Sequence, residues 1–218
     1  MEEKKIMKSD VKPLFESRFL RVFDLQYAPG KHYYDATRRP LEEIAAVKSA
    51  EEFRKMIPDA VSCFVILAAQ EQEPKLLLSK EYRYPTGQFL LSVPAGLIDP
   101  EDKNEKEPAL FAAAREIHEE TGIEISREDS LTLVSPLVFS SPGMTDESNA
   151  LVCAVIRQSD TLRLSQAGAV GSECFDGFIP VDRKEAASLL RTGKDADGIF
   201  YSVYTWMALL YFVSDMWL

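Results

Sequence analysis

The chain has 218 residues, 46% hydrophobic and 28% charged, which gives an ordinary folded protein with one sizeable core and room for an appendage. A net charge of −10 disfavours duplex binding, and two histidines are too few for a histidine-rich zinc site. Cys63, Cys153 and Cys174 form no CxxC pair, MEEKKIMKSD lacks a signal-peptide core, and the apolar stretch Trp206 to Val213 is too short to cross a bilayer, so the expectation is a cytoplasmic protein with no nucleic-acid or membrane partner.

In chain order, residues 1–15 read as a polar lead-in. Arg18 to Tyr27 is a strand, Ala28-Pro29-Gly30 a turn, and Lys31 to Arg39 the return strand of a hairpin. Leu41 to Met56 has helical spacing and stops before Pro58. Val61 to Ala69 and Leu76 to Glu81 form a second hairpin, and Phe89 to Val93 is a short strand closed by Pro94-Ala95-Gly96. Pro108 to Thr121 is a helix with Gly122 at its C-terminal stop. Leu131 to Phe139, Ala150 to Arg157 and Glu173 to Pro180 are strands. Arg183 to Leu190 and Ser202 to Trp217 are helices, the last apolar around most of its circumference, which suits a core or subunit contact. Strands and helices without a clean βαβ alternation predict an α+β fold, a mixed sheet with helices on both faces.

The chemistry concentrates in Arg115-Glu116-Ile117-His118-Glu119-Glu120-Thr121-Gly122. At 100° per residue, Glu116, Glu119 and Glu120 share one helix face. Like charges so close need a cation, and oxygen-only ligands suit Mg²⁺ or Mn²⁺ rather than zinc. Arg115, one turn before Glu119, orients one carboxylate. Leu110, Ala113, Ala114 and Ile117 fall on the opposite side and pack on the sheet, while Ala112, one turn before Glu116, leaves room near the carboxylates. His118 turns away and reads as a surface residue. A merely solvated acidic face is the bland alternative, but it leaves the ordered set of glycines, Arg-Glu pair and adjacent acids unexplained.

This segment resembles the Nudix box, G-x5-E-x7-R-E-U-x-E-E-x-G-U with U apolar. Glu107, Arg115, Ile117, Gly122 and Ile123 take their places in it, and Gly96 is the first glycine, with five extra residues inserted within the charged loop Asp99–Lys106. Loops absorb such insertions at small cost. Lys80-Glu81-Tyr82-Arg83-Tyr84-Pro85, Pro94-Ala95-Gly96-Leu97-Ile98-Asp99 and Ser141-Pro142-Gly143-Met144-Thr145-Asp146-Glu147 are similar to the ADP-ribose pyrophosphatase group. One departure is Ser92, where many of that group carry a glutamate two residues before the Pro.

The resemblance implies a Nudix-type α/β/α sandwich at 58–218, with residues 1–57 as an N-terminal hairpin and helix that dimerises. It implies metal ligation by Glu116, Glu119, Glu120 and the Ala95 carbonyl. Glu147 is the catalytic base, with Asp146 as runner-up and Glu119 and Arg115 assisting; Gly96, Glu107 and Gly122 are structural. Arg83 is the phosphate-gripping candidate, and Arg39 and Tyr34, with Tyr33, are candidates to grip or stack on a nucleotide. The implied activity is Mg²⁺-dependent hydrolysis of a nucleoside diphosphate derivative, foremost ADP-ribose to AMP and ribose 5-phosphate. Alternatives are another nucleotide sugar, a nucleoside triphosphate, or a non-catalytic nucleotide sensor on the same fold.

Overall fold

The computed structural model describes residues 5–158, 163–168 and 173–218. Residues 1–4 of the expected polar lead-in lie outside the described residues. The chain forms two compact units, residues 1–59 with 137–149, and residues 60–136 with 150–218.

The first unit carries a three-stranded antiparallel sheet, β1 (Val11–Glu16), β2 (Arg21–Ala28) and β3 (Lys31–Thr37), in that order. The hairpin was expected, but β1 replaces part of the polar lead-in. It shows only Val11 to the core and exposes the rest, so its composition masks its pairing. The helix expected over Leu41–Met56 is instead two 3-10 turns, Leu41–Glu43 and Ala45–Val47, followed by α1 (Ala50–Arg54). Tertiary contacts divide it: extended Ile44 is fully buried against Val11, Phe23 and Leu25, and the Ala45 N–H donates to Asp146. Ser49 and Glu52 then start a new helix with a capping box.

The second unit is built on a seven-stranded sheet of β4 (Ala60–Leu67), β5 (Lys75–Arg83), β6 (Gln88–Ser92), β7 (Ala95–Leu97), β8 (Ser130–Phe139), β9 (Ser148–Ile156) and β10 (Phe175–Val181). Its main path runs β10-β5-β4-β9-β8, with β6 on β5 and β7 on β4. The start of β5 pairs with the end of β4, while its far end, Ser79–Arg83, pairs with β6. The chain then bends at Val93-Pro94 and crosses to the start of β4, where Ala95 faces Ser62. The Cys63 N–H seals this bend by donating to the Pro94 carbonyl at 2.8 Å.

Helix α2 (Pro108–Thr121) covers one face, packing Ala112, Ala113 and Ile117 on Val61, Cys63, Val65 and Leu77. Of the alanines, Ala112 and not Ala114 belongs to the core, because the helix leans its Glu116 edge toward the sheet as well. The opposite face carries α3 (Arg183–Thr192) and α4 (Val203–Val213). There Phe64 meets Tyr211 at 5.6 Å between ring centres, and Thr205 donates to the Leu91 carbonyl. Helices on both faces of a mixed sheet give the expected α/β/α sandwich, with α4 turning only Thr205, Ala208, Leu209 and Phe212 fully inward.

Candidate active site

Two features fix where α2 presents its carboxylates. Pro108 at the first turn starts it, and Gly122, at φ +74°, ends it in the left-handed conformation with its N–H on the His118 carbonyl. Glu107 caps the helix through its own carbonyl, which accepts from Leu110 and Phe111; its side chain makes no capping bond.

Glu116 and Glu120 are 6% and 5% exposed, Glu119 is half-buried, and His118 is exposed. Glu116 lies directly against β7: a Cβ on Gly96 would sit 2.0 Å from its carboxyl carbon. Glu120 accepts from the Ala95 N–H at 3.2 Å. Arg115 holds the neighbours together, donating to Glu116 at 2.7 Å, Glu119 at 3.2 Å, the Leu97 carbonyl at 2.9 Å and Asp102 at 2.9 Å.

Asp102 comes from the inserted loop. That loop forms a 3-10 turn, Asp102–Asn104, and buries Asp102, which also accepts from the Asp99 N–H. Sequence reasoning missed this residue because it treated the insertion as solvated loop; the buried aspartate shows that the insertion is part of the arginine's support.

Burial dominates the electrostatics. Desolvation pushes the Glu116 carboxyl up to about 7, opposed by Arg115. Desolvation pushes Glu120 up to about 9, with the Ala95 N–H opposing and Glu81, Glu116 and Glu173 adding repulsion. Glu81, itself buried, is ion-paired to Arg83 at 2.6 Å and hydrogen-bonded by Ser92, which stands where the resemblance implies a glutamate. Glu81 and Glu173 were not singled out from sequence; strand register alone reveals their position. Arg83 is half-exposed and has donors to spare for a phosphate.

These residues fit a divalent cation. The donors are all oxygen, and among the described residues no Lys or Arg forms an ion pair with Glu120. Among the described residues no three His, Cys, Asp or Glu side chains already stand in a coordinating arrangement, since Arg115 and the Ala95 N–H occupy the glutamates.

In the first unit, Glu147 is one-third exposed and pairs with Arg38 at 3.2 Å, within a loop held by Tyr33 on the Gly143 carbonyl and by Ala36 on that of Met144. Asp146 is buried: its N–H donates to Asp35 and its carboxylate accepts from Ala45, so it has less freedom than Glu147 to serve as a base. Arg39, a candidate to grip a nucleotide, is held inside this unit. It is 7% exposed, forms a bidentate pair with Asp59 at 2.8 Å, and also donates to Ser148, so its guanidinium braces the loop. Tyr34 is exposed and lines a cavity of about 290 Å³ with Tyr33, Phe53, Phe139, Asp35 and Asp146.

The family model for the NUDIX domain matches residues 56–184, more than half of the chain. The chain belongs to the Nudix family. The chloroplastic Nudix hydrolase 14 of Arabidopsis thaliana is 30% identical to this Nudix protein over 140 residues, 61% of this chain and 44% of that one. The ADP-ribose pyrophosphatase of Saccharomyces cerevisiae is 32% identical over 102 residues, 46% of this chain and 40% of that one. The matched part thus spans less than half the length of these curated relatives. A solved structure described as an ADP compounds hydrolase shares the fold, with a TM-score of 0.59 at 20% identity over 95% of this chain and 90% of the other.

Proposed function

We propose that this Nudix protein is a divalent-metal-dependent pyrophosphohydrolase that cleaves the diphosphate bond of a nucleoside diphosphate derivative, with ADP-ribose, giving AMP and ribose 5-phosphate, as its substrate. One observation carries the reading: two carboxylates from one helical turn, Glu116 and Glu120, are buried against the Ala95-Gly96 backbone. Burying charge that way is costly unless a cation neutralises it. The ADP-ribose and ADP-sugar pyrophosphatases among the similar proteins support the substrate class.

Glu116, Glu119, Glu120 and the Ala95 carbonyl would hold Mg²⁺ or Mn²⁺, which when bound would supply Lewis acidity toward the diphosphate and lower the pKa of a water. Arg115 orients Glu116 and Glu119 and is itself fixed by Asp102. Arg83 binds a phosphate. Glu147 accepts the proton of the attacking water. Tyr34, with Tyr33, offers aromatic surface for stacking a base. The protein acts as a homodimer in the cytoplasm: Leu14, Phe15 and Phe19 of the first unit are each more than half exposed, and all three cysteines are free thiols.

The decisive experiment incubates the protein with a panel of nucleotide sugars and nucleoside triphosphates, with and without Mg²⁺, and identifies the products. AMP and ribose 5-phosphate from ADP-ribose, dependent on the metal, are expected, with Glu120→Gln slower by about 100-fold or more. Full activity of Glu120→Gln would overturn the metal assignment.

A further inference from the structure

Two consecutive arginines meet two consecutive residues at the start of β9. Arg38 donates through Nε to Glu147 at 3.2 Å, and Arg39 donates through Nη2 to the Ser148 hydroxyl at 3.0 Å. Both bonds join the same two segments of the first unit, and the backbone of each segment is fixed. Thr37, at the end of β3, pairs with Arg21 of β2, and the Arg38 carbonyl accepts from the Arg21 guanidinium at 2.9 Å. On the other side the Glu147 carbonyl accepts from the Ser140 N–H, the Glu147 N–H donates to the Thr145 hydroxyl, and the Ser148 N–H is held by Asp59.

A fixed backbone still leaves the side-chain torsions of Glu147 to be settled. Among the described residues, the group that settles them is Arg38: Oε1 of Glu147 takes its Nε–H, and Oε2 takes no protein donor. The side chains are 45% and 34% exposed, and an ion pair so open to water adds little to stability. Its geometry suits a different use. One carboxylate oxygen is tied and the other is left open, which is how a general base is oriented by a third group. The neighbouring Asp146, buried and bonded to the Ala45 N–H, has no such open arrangement.

We propose that Arg38 is a positioning residue for the hydrolysis, its guanidinium fixing Oε1 of Glu147 so that Oε2 meets the attacking water. The proposal rests on the reading of Glu147 as the base. In the step it serves, a proton of the water passes to Oε2 and the water oxygen bonds to one phosphorus of the diphosphate. The bond from that phosphorus to the bridging oxygen breaks, and its electron pair leaves on the other phosphate. Arg38 acts on the carboxylate and not on the substrate, so its contribution exists only while Glu147 is present.

The test is steady-state hydrolysis of ADP-ribose with Mg²⁺ by the full chain as wild type, Arg38→Gln, Glu147→Gln and the double variant, with a thermal melt of each. Arg38→Gln should lower kcat about tenfold, with KM and melting temperature close to wild type, and Glu147→Gln should lower kcat about 100-fold or more. The double variant should be no slower than Glu147→Gln alone. Losses that multiply in the double variant, or a raised KM at unchanged kcat in Arg38→Gln, overturn the proposal. A wild-type kcat in Arg38→Gln beside a slow Glu147→Gln overturns it too and leaves Glu147 standing. A wild-type kcat in Glu147→Gln overturns the reading of Glu147 as the base, and the role of Arg38 with it. Should Arg38→Gln melt early, Arg38→Met, which keeps the aliphatic stem, takes its place with the same readings.

Discussion

At residue 96 the absence of a side chain makes room for another residue's carboxyl. Because the atoms that a Cβ would meet are the far end of the flexible Glu116 side chain, Gly96→Ala should fold and displace that carboxyl. The expected outcome is a melting temperature close to wild type with Mn²⁺ affinity lowered about tenfold or more, read by calorimetric titration. Asp35 gives a pH-dependent prediction. Burial and the charge of Asp146 push its carboxyl up to about 6, from 3.8 unfolded. Between those values the folded state holds the proton more tightly than the unfolded state, so this group's contribution makes stability fall as pH rises through that window. Asp35→Asn should therefore raise the melting temperature at pH 7.5 more than at pH 4, in thermal melts at the two pH values. Much of this detail was hidden in the linear sequence. Glu116 and Glu120 follow from helical spacing, but that Asp146 is buried beside Asp35 depends on a chain contact spanning more than a hundred residues.

At the scale of elements, α2 appears within its expected bounds because its signals are local: Pro108 at the start, apolar residues on one side and Gly122 at the end. Gly122→Ala should cost about 1 kcal/mol by forcing a Cβ into the left-handed region, measured by denaturant unfolding. The segment 41–56 failed as one helix for the opposite reason: buried Ile44 and the Ala45 bond to Asp146 are tertiary, and they outweigh the periodicity. The loop 140–148 shows how an arginine's role changes with its surroundings. Arg39→Met would leave the largely buried Asp59 without its guanidinium, at an expected loss of about 3 kcal/mol in chemical denaturation. Arg39→Lys, which keeps the charge and loses the fork, should lower stability and leave KM near wild type. A selective rise in KM without loss of stability would restore Arg39 to the substrate site.

For the molecule as a whole, metal binding and folding are linked. A ligand that binds only the folded state stabilises it by mass action, about 2.7 kcal/mol at a hundredfold excess over the dissociation constant. For a chain of this size that is a rise in melting temperature of roughly 5 °C or more with Mn²⁺ at pH 8, seen by differential scanning fluorimetry. The increment should vanish in Glu120→Gln, and an equal increment there would show that stabilisation arises elsewhere. Among the described residues no helix is long and apolar enough to cross a membrane.

By itself the sequence determined the α2 register, the glutamates on one of its faces, the glycines around them and the α/β/α class, because helical spacing, turn chemistry and alternating apolarity act between near neighbours. Only the tertiary structure decided that Asp102 of the insertion supports Arg115, that Arg39 is a buried brace, and that Glu81 and Glu173 add their repulsion to Glu120. Each of those depends on strand pairing or burial between residues far apart in the chain, and no local pattern encodes the desolvation that gives them their chemistry.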